Sequence, residues 1–281
     1  MIATVLTHRR ASDTAGALGA LRAAARRAGA TLRFDADETC KHGLLPGPSQ
    51  EVDAPISMSV DLCVVMGGDG TILTGLRHYA GTGVPVFAVN FGEVGFLATL
   101  DPDGLDAEFD RAFAREFETL ELPGITVGRP DGQWTAMNDI SVHRKPGFRV
   151  ADLAYGLAGE EIGRVRCDGL VVSTPQGSTG YNLANGGPVL AWGVRGFVVS
   201  FIAPHSLTAR SLVVAPDDLM TINNRSRDEP VEVHVDGRPV LQLQPGEDIH
   251  VEFARESALL AQLPGASFYH RLRERFGRLA N

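Results

Sequence analysis

The sequence predicts an α/β N-terminal domain, Rossmann-like with a parallel sheet. A β-rich, sandwich-like C-terminal domain follows, and a C-terminal helix packs back on the body. Three observations carry this. Residues 60–66 (VDLCVVM) are an almost unbroken apolar run, typical of strands buried on both faces of a parallel sheet. Apolar strands alternate with helix-period segments to about residue 120, and from about residue 123 short strands and turn signals dominate. Phe268, Leu272 and Phe276 share one face of a helical tail, which needs a surface to cover. The expected divisions are residues 1–120, 121–260 and a docking tail at 261–281.

In chain order, residues 2–6 read as a buried strand, and Ser12 or Asp13 as the cap of a helix. That helix has Leu18, Leu21, Ala25 and Ala28 at helical spacing, with Gly29 closing it. Residues 31–34 read as a second strand, and 40–59, with three Pro and two Gly, as a loop. The apolar run then ends at Gly67-Gly68-Asp69-Gly70, followed by a helix over 71–80 and a strand over 84–90. Leu105, Phe109, Phe113 and Phe117 predict an amphipathic helix over 103–118. Pro130-Asp131-Gly132 reads as a hairpin turn, 135–144 (TAMNDISVHR) as a strand, and Gly159-Glu160 as a second turn. Further strands are expected at 170–173, 197–202, 212–214, 231–235 and 249–253.

Composition narrows the function. With 26 Lys and Arg against 34 Asp and Glu, the net charge is −8, which disfavours non-specific nucleic-acid binding. No apolar stretch approaches a membrane span, and the first ten residues do not resemble a secretory signal. Cys40, Cys63 and Cys167 are scattered, with no CxxC pair, which excludes a zinc ribbon and points to a reducing, cytoplasmic setting. Cys63 and Cys167 are expected in the core, His205 in a structural role, and Arg271–Arg278 on the solvated face of the tail helix.

Three segments carry chemistry. Gly67-Gly68-Asp69-Gly70-Thr71 follows a buried strand, where open α/β sheets bind ligands. Its glycines let the backbone approach an anion, and a carboxylate there must bind a metal or accept a proton, which points to phosphoryl transfer. The alternative is a tight turn with Asp69 as a helix cap. No GxxxxGK[ST] or GxGxxG pattern occurs here. Next, Asp168–Tyr181 runs from a short strand into a loop of Ser, Thr and Gly, whose hydroxyls and N–H groups suit ribose or phosphate oxygens. A Gly/Ser-rich surface loop is the alternative. Third, Asn138-Asp139 places two polar residues within a strand, where they are depleted. They either bind a polar group or mark a bulge or strand end.

Together with Asn90-Phe-Gly-Glu-Val-Gly-Phe-Leu97, Gly186-Gly-Pro188, Pro204-His-Ser-Leu207 and Asp236-Gly237, these blocks resemble the NAD kinases over roughly residues 60–255. The Gly-Gly-Asp-Gly turn alone is shared with diacylglycerol kinases and, loosely, phosphofructokinases. The Ser-Thr-Pro…Gly-Ser-Thr…Tyr segment is far more specific. The resemblance implies transfer of a phosphoryl group from ATP, or polyphosphate, to the 2′-hydroxyl of the adenosine ribose of NAD. It implies a donor-binding first domain, an NAD-binding and oligomerising second domain, and Asp69 as the base or a metal-linked carboxylate. Mg2+ or another divalent cation would come with ATP, near Asp69, without a fixed protein cage. The implied nucleotide-binding positions are Gly67, Gly68, Gly70, Thr71, Asn90, Asn138, Asp139, Asp168, Thr179, Gly180, Tyr181, Asn182, Leu183, Ala184 and Ala203. Arg149 and Arg166 match by position only. Departures are Asp139 for the commoner Glu, Gly180 for Ala, Gln176 for Thr and Arg238 where Gln is frequent. The resemblance also implies a homodimer or homotetramer, with Asp168 serving a neighbouring site. A lipid or sugar kinase sharing only the glycine-aspartate turn, or a non-catalytic nucleotide sensor, is the alternative.

Overall fold

Every residue from Leu62 to Gly67 is buried, which a strand achieves only inside a sheet covered on both faces. The computed structural model describes residues 1–281 except 92–94, 99, 101–103, 131, 265–267 and 278–281. The expected turn residue Asp131, part of the 90–97 block and the ends of the tail segment (Ser267, Arg278 and Leu279) lie outside the described residues. Two compact units emerge, residues 1–121 with 258–281, and residues 122–257.

In the first unit, β1 (Ile2–Thr7), α1 (Ala11–Ala28), β2 (Thr31–Arg33), α2 (Ala36–His42), β3 (Gln50–Glu51), β4 (Leu62–Gly67), α3 (Asp69–His78), β5 (Pro85–Asn90) and α4 (Leu105–Phe113) follow in order. The strands lie β5-β4-β1-β2-β3, all parallel, and Leu259–Ala261 adds a parallel edge on β5. The register sets Thr7 beside Met66 and Gly67 beside Asn90, so these strand ends share one edge. The core joins Val5, Leu21, Val64, Met66, Phe87 and Phe109.

Several local expectations change. Helix α1 starts at Ala11 with Arg10 as N-cap and no side-chain capping bond, so Ser12 and Asp13 lie in its first turn. Its buried stripe is Thr14, Ala17, Leu18, Leu21, Ala24 and Ala25, while Ala28 is exposed where the chain turns at left-handed Gly29. The expected loop at 40–59 includes the end of α2 and β3. Asp35 caps α2 by accepting from Glu38 N–H, and Gly43 closes it in the left-handed region. Helix α4 stops at Phe113 because Arg115 takes φ 60°, although the Phe117 ring still packs 6.5 Å from Phe87.

In the second unit, β6 (Glu118–Arg129) enters and turns into β7 (Gly132–Ala136) as a hairpin. Then come β8 (Asp139–Arg144), β9 (Ala151–Leu157), β10 (Glu160–Cys167), β11 (Gly169–Ser173), α5 (Tyr181–Ala184), β12 (Phe197–Ile202) and β13 (Leu212–Val214). The chain continues through β14 (Met220–Asn224), β15 (Val231–Val235), β16 (Arg238–Leu243) and β17 (Asp248–Gln262). One antiparallel sheet runs β13-β12-β11-β8-β15-β16; the other joins β10, β9, β14 and the first half of β17. Val142, Leu170, Phe197 and Val233 from one sheet and Leu153, Ile222 and Val251 from the other share one core, a sandwich. The strand expected over 135–144 is two strands, broken at Met137-Asn138. The second turn sits at Ala158-Gly159, one residue early, with φ 50° and 85°.

The tail helix is α6 (Phe268–Phe276), and it belongs to the first unit. Phe276 packs on Phe96 with ring centroids 5.5 Å apart. Arg271, expected in solvent, is 8% exposed. The buried thiols of Cys63 and Cys167 are both pushed upward by desolvation, Cys167 to about 12, so neither is a thiolate at neutral pH.

The sheet carries one buried polar tie that tests this packing. Tyr79, 1% exposed, places its hydroxyl 2.7 Å from Thr4 Oγ1 and 3.2 Å from Ser57 O. Replacing it with phenylalanine strands the buried Thr4 hydroxyl. Tyr79→Phe is expected to lower unfolding stability by about 1–3 kcal/mol in urea titration, with the fold retained.

Candidate active site

Two polar centres stand out, one in each unit. The first is built where β4 ends. Gly67 is glycine for a steric reason: a Cβ there would lie 2.6 Å from Thr71 Oγ1. Gly68 is the N-cap of α3 in extended backbone and makes no side-chain cap bond. Asp69 is the first helical residue, so it is not the cap. Its carboxylate instead accepts the N–H groups of Phe96 and Leu97, each at 3.2 Å. Thr71 N–H is taken by Gly68 O at 2.9 Å, so that amide is spent on the turn. Gly70 is exposed, with open space where a Cβ would stand. Asn90, buried, pairs with Gly67 across the strand ends, and Gly95 packs against its amide.

The second centre is built on Asp236, a residue the motif reading left without a role. Asp236 takes φ 46° in the β15–β16 turn, and its carboxylate accepts the N–H groups of Met137 (3.0 Å), Asn138 (2.7 Å) and Asp139 (3.2 Å). The carbonyls of the same segment are also held. Thr174 Oγ1 donates to Met137 O at 2.7 Å, Ser173 Oγ donates to Asn138 O at 3.1 Å, and Gln176 Nε2 donates to Met137 O at 2.5 Å and to Pro123 O of β6 at 2.6 Å. Gly177 seals the arrangement, since a Cβ would meet Asn138 O at a distance backbone cannot accommodate. The loop after β11 is therefore not a surface loop: residues 171–178 are buried. Its hydroxyls serve the frame rather than project from it; Ser178 donates to Pro175 O and Thr179 to Gln176 O. Gln176, a departure from the family pattern, is one of the residues that clamp it.

That frame fixes the Asn138-Asp139 pair at the start of β8, a strand end and not a strand interior. Asn138 Oδ1 is buried and makes no hydrogen bond among the described residues. Asp139, 9% exposed, has its carboxyl pushed up to about 7, first by burial and then by the neighbouring Asp236 charge. Such an acid is partly protonated at neutral pH and can donate as well as accept.

The remaining expected residues are distributed around this centre. Tyr181 stacks on His143 with centroids 5.7 Å apart, and His143 meets His234 edge-on at 5.0 Å. Burial, then His234, holds the His143 imidazole below its usual range, so it is neutral. Asp168 forms a fork with Arg144, whose Nε lies 2.5 Å away, and that guanidinium holds the carboxyl below the usual range. Asn182, one of the expected nucleotide-binding positions, is fully buried; its Nδ2 donates to Ser178 O and Pro188 O at 2.9 Å each, and its Oδ1 makes no hydrogen bond among the described residues. Gly180 and Ala184 are exposed, and Leu183 is half-buried, around the short α5. Ala203 follows β12, exposed, with φ 43°. Arg149 and Arg166 are exposed, and among the described residues no hydrogen bond ties either to Asn138 or Asp139. Arg144 and His143 carried no local sequence signal. Arg144 meets Asp168 through the β8–β11 register, which sets His143 opposite Gly169, and His143 meets His234 through the β8–β15 pairing.

Among the described residues no group of three His, Cys, Asp or Glu could hold a metal ion.

Comparison with known proteins adds the following. Residues 22–117 match the family described as the ATP-NAD kinase N-terminal domain, and residues 137–263 the ATP-NAD kinase C-terminal domain. The chain is 34% identical over 253 residues to an NAD kinase of Lachnoclostridium phytofermentans, covering 86% of this chain and 87% of that one. It is 38% identical over 224 residues to an NAD kinase of Rhodopirellula baltica, covering 78% and 72%. Among solved structures, an Archaeoglobus fulgidus NAD kinase in complex with ATP is similar at TM-score 0.75 and 26% identity, covering 99% of this chain and 98% of that one. A yeast NADH kinase complexed with NADH shares the fold at TM-score 0.85 and 22% identity, covering 100% and 89%.

The raised Asp139 carboxyl makes a stability prediction. Between pH 3.8 and about 7 the unfolded chain has lost the Asp139 proton while the folded chain keeps it. Folding stability contributed by this group is therefore complete below that window and is lost as pH rises through it, with a slope approaching ~1.4 kcal/mol per pH unit. Asp139→Asn is expected to flatten this slope. Denaturant unfolding at pH 5 and pH 8 measures it, and identical pH dependence in both proteins rejects the assignment.

Proposed function

The chain belongs to the ATP-NAD kinase family, and from that membership we propose which of its residues perform the reaction. The chain phosphorylates NAD to NADP, with ATP as the phosphoryl donor. The observation that carries the residue assignment is Asp69: a carboxylate at a helix start, beside a strand end, aimed by two backbone N–H groups. Phosphoryl transfer needs positioning and charge stabilisation more than covalent chemistry. The 2′-hydroxyl oxygen of the adenosine ribose attacks the γ-phosphorus while its proton passes to Asp69. The bond from that phosphorus to the β-phosphate oxygen breaks, and ADP leaves. The first turn of α3 favours the donor's negative charge, and the open space over Gly70 leaves room for a phosphate. A divalent cation, Mg2+ in this reading, arrives as part of the ATP substrate. Polyphosphate would present the same phosphate chain.

Asn138 and Asp139 bind NAD in this proposal. The buried Asn138 Oδ1 offers an acceptor, and the partly protonated Asp139 offers either role. Tyr181 on its His143 stack presents an aromatic face, and Asp168 a carboxylate held in place by Arg144.

We place the enzyme in the cytoplasm, as its scattered free cysteines favour; no helix among the described residues is long and apolar enough to cross a membrane. We also propose a homodimer or homotetramer. Ile162, Leu212 and Val213 are exposed apolar side chains of the second unit, with β13 at a sheet edge.

Asp69→Asn is expected to fold normally and to lose ~10²–10⁴ in NADP formation from ATP and NAD, as removal of a general base does. Near wild-type turnover in the folded variant takes Asp69 out of the mechanism. Sedimentation at low micromolar concentration is expected to give at least twice the chain mass, and a fully active monomer contradicts the assembly.

A further inference from the structure

The carboxylate of Asp69 is only as well placed as the amides that hold it, and those amides belong to a short loop segment. Phe96 and Leu97 donate their N–H groups to Asp69, and two carbonyls of the same stretch accept from elsewhere. They are met by a side chain from the far end of the sequence. Arg271 of α6 donates through Nη1 to Phe96 O at 3.1 Å and to Ala98 O at 2.5 Å. The segment is thus held through both sets of its backbone groups, its N–H groups by Asp69 and its carbonyls by Arg271. The Phe276 ring, at the end of α6, packs on the Phe96 ring.

A guanidinium 8% exposed is an expensive way to hold a loop unless its charge is used. We propose that Arg271 is a positioning residue for Asp69: it fixes the Phe96–Ala98 segment that aims the carboxylate and places a buried positive charge beside the reacting centre. The proposal rests on Asp69 being the base. Burial lowers the Arg271 pKa to about 10, and Asp69 and then Glu274 are the charges that favour its protonated form. It is therefore cationic at neutral pH. The C-terminal helix, in this view, is a component of the active centre rather than a lid on the core.

The expected consequences separate aim from binding. In Arg271→Met, kcat is expected to fall about 10²-fold, the scale set by misplacing a catalytic group by about 1 Å. KM for ATP and NAD is expected to stay within about threefold, because the proposal has Arg271 act on the segment and not on a substrate. Amide exchange of the peptide holding Phe96 and Leu97, read by mass spectrometry, is expected to speed up. Arg271→Lys, which keeps the charge with fewer donors, recovers part of kcat. Should Arg271→Met fail to fold, Arg271→Lys carries the test by showing a smaller loss confined to kcat. Arg273→Met, an exposed arginine on the same helix, leaves kcat unchanged. Unchanged kcat and unchanged exchange in the Arg271 variants overturn the proposal, as does a loss that lysine does not relieve and that tracks the fraction unfolded. The base assignment fails separately: if Asp69→Asn stays active, Asp69 is not the base, while the exchange measurement still decides whether Arg271 holds the segment.

Discussion

A strand that ends must hand its neighbours' backbone groups to something else, and in this protein that duty falls on carboxylates. Asp69 takes the N–H groups of Phe96 and Leu97, and Asp236 takes those of Met137, Asn138 and Asp139. Asp61 takes that of Ile2 at 2.7 Å, where β1 begins. A carboxylate that accepts from amides is held in one orientation and stays in reach of solvent-facing chemistry. The polar centres of both units sit at such points. The same bonds that finish the architecture fix the orientation of these carboxylates.

Burial then sets what each carboxylate can do. Asp168 is half-exposed beside a guanidinium and stays ionised. Asp139 is enclosed beside a second acid, and its proton is retained to about 7. Two aspartates of one unit thus differ in charge state through surroundings alone, which is how a single residue type supplies both an anion and a donor.

The parallel sheet was legible because its strands are buried on both faces, and Leu62–Gly67 shows that in its composition alone. The glycine turn was legible because Gly67 has no room for a Cβ beside Thr71. Other features were hidden because their causes are not local. The role of Gln176 depends on Pro123 and Met137, far back in the chain. Arg144 and Asp168 meet only through strand register. Arg271 looks like one more cation on a polar helix face until the carbonyls of Phe96 and Ala98 are found opposite it. Helix α2 was missed for a different reason. Its Asp35 cap and Gly43 stop were present, but the Pro-rich stretch that follows drew the loop assignment back over its end.

One feature of the connectivity bears on biosynthesis. Residues 122–257 form a unit from one continuous segment, whereas the first unit needs residues 258–281 as well as 1–121. During translation the N-terminal sheet emerges first but lacks the edge at Leu259–Ala261 and the helix carrying Arg271. Domains usually fold in the order they leave the ribosome. Here the order of completion is inverted: the later-made sandwich has all its strands but the end of β17 before the earlier-made sheet can close. Until then Pro85–Phe87 of β5 lacks its parallel partner, an open strand edge of the kind that can pair with another chain.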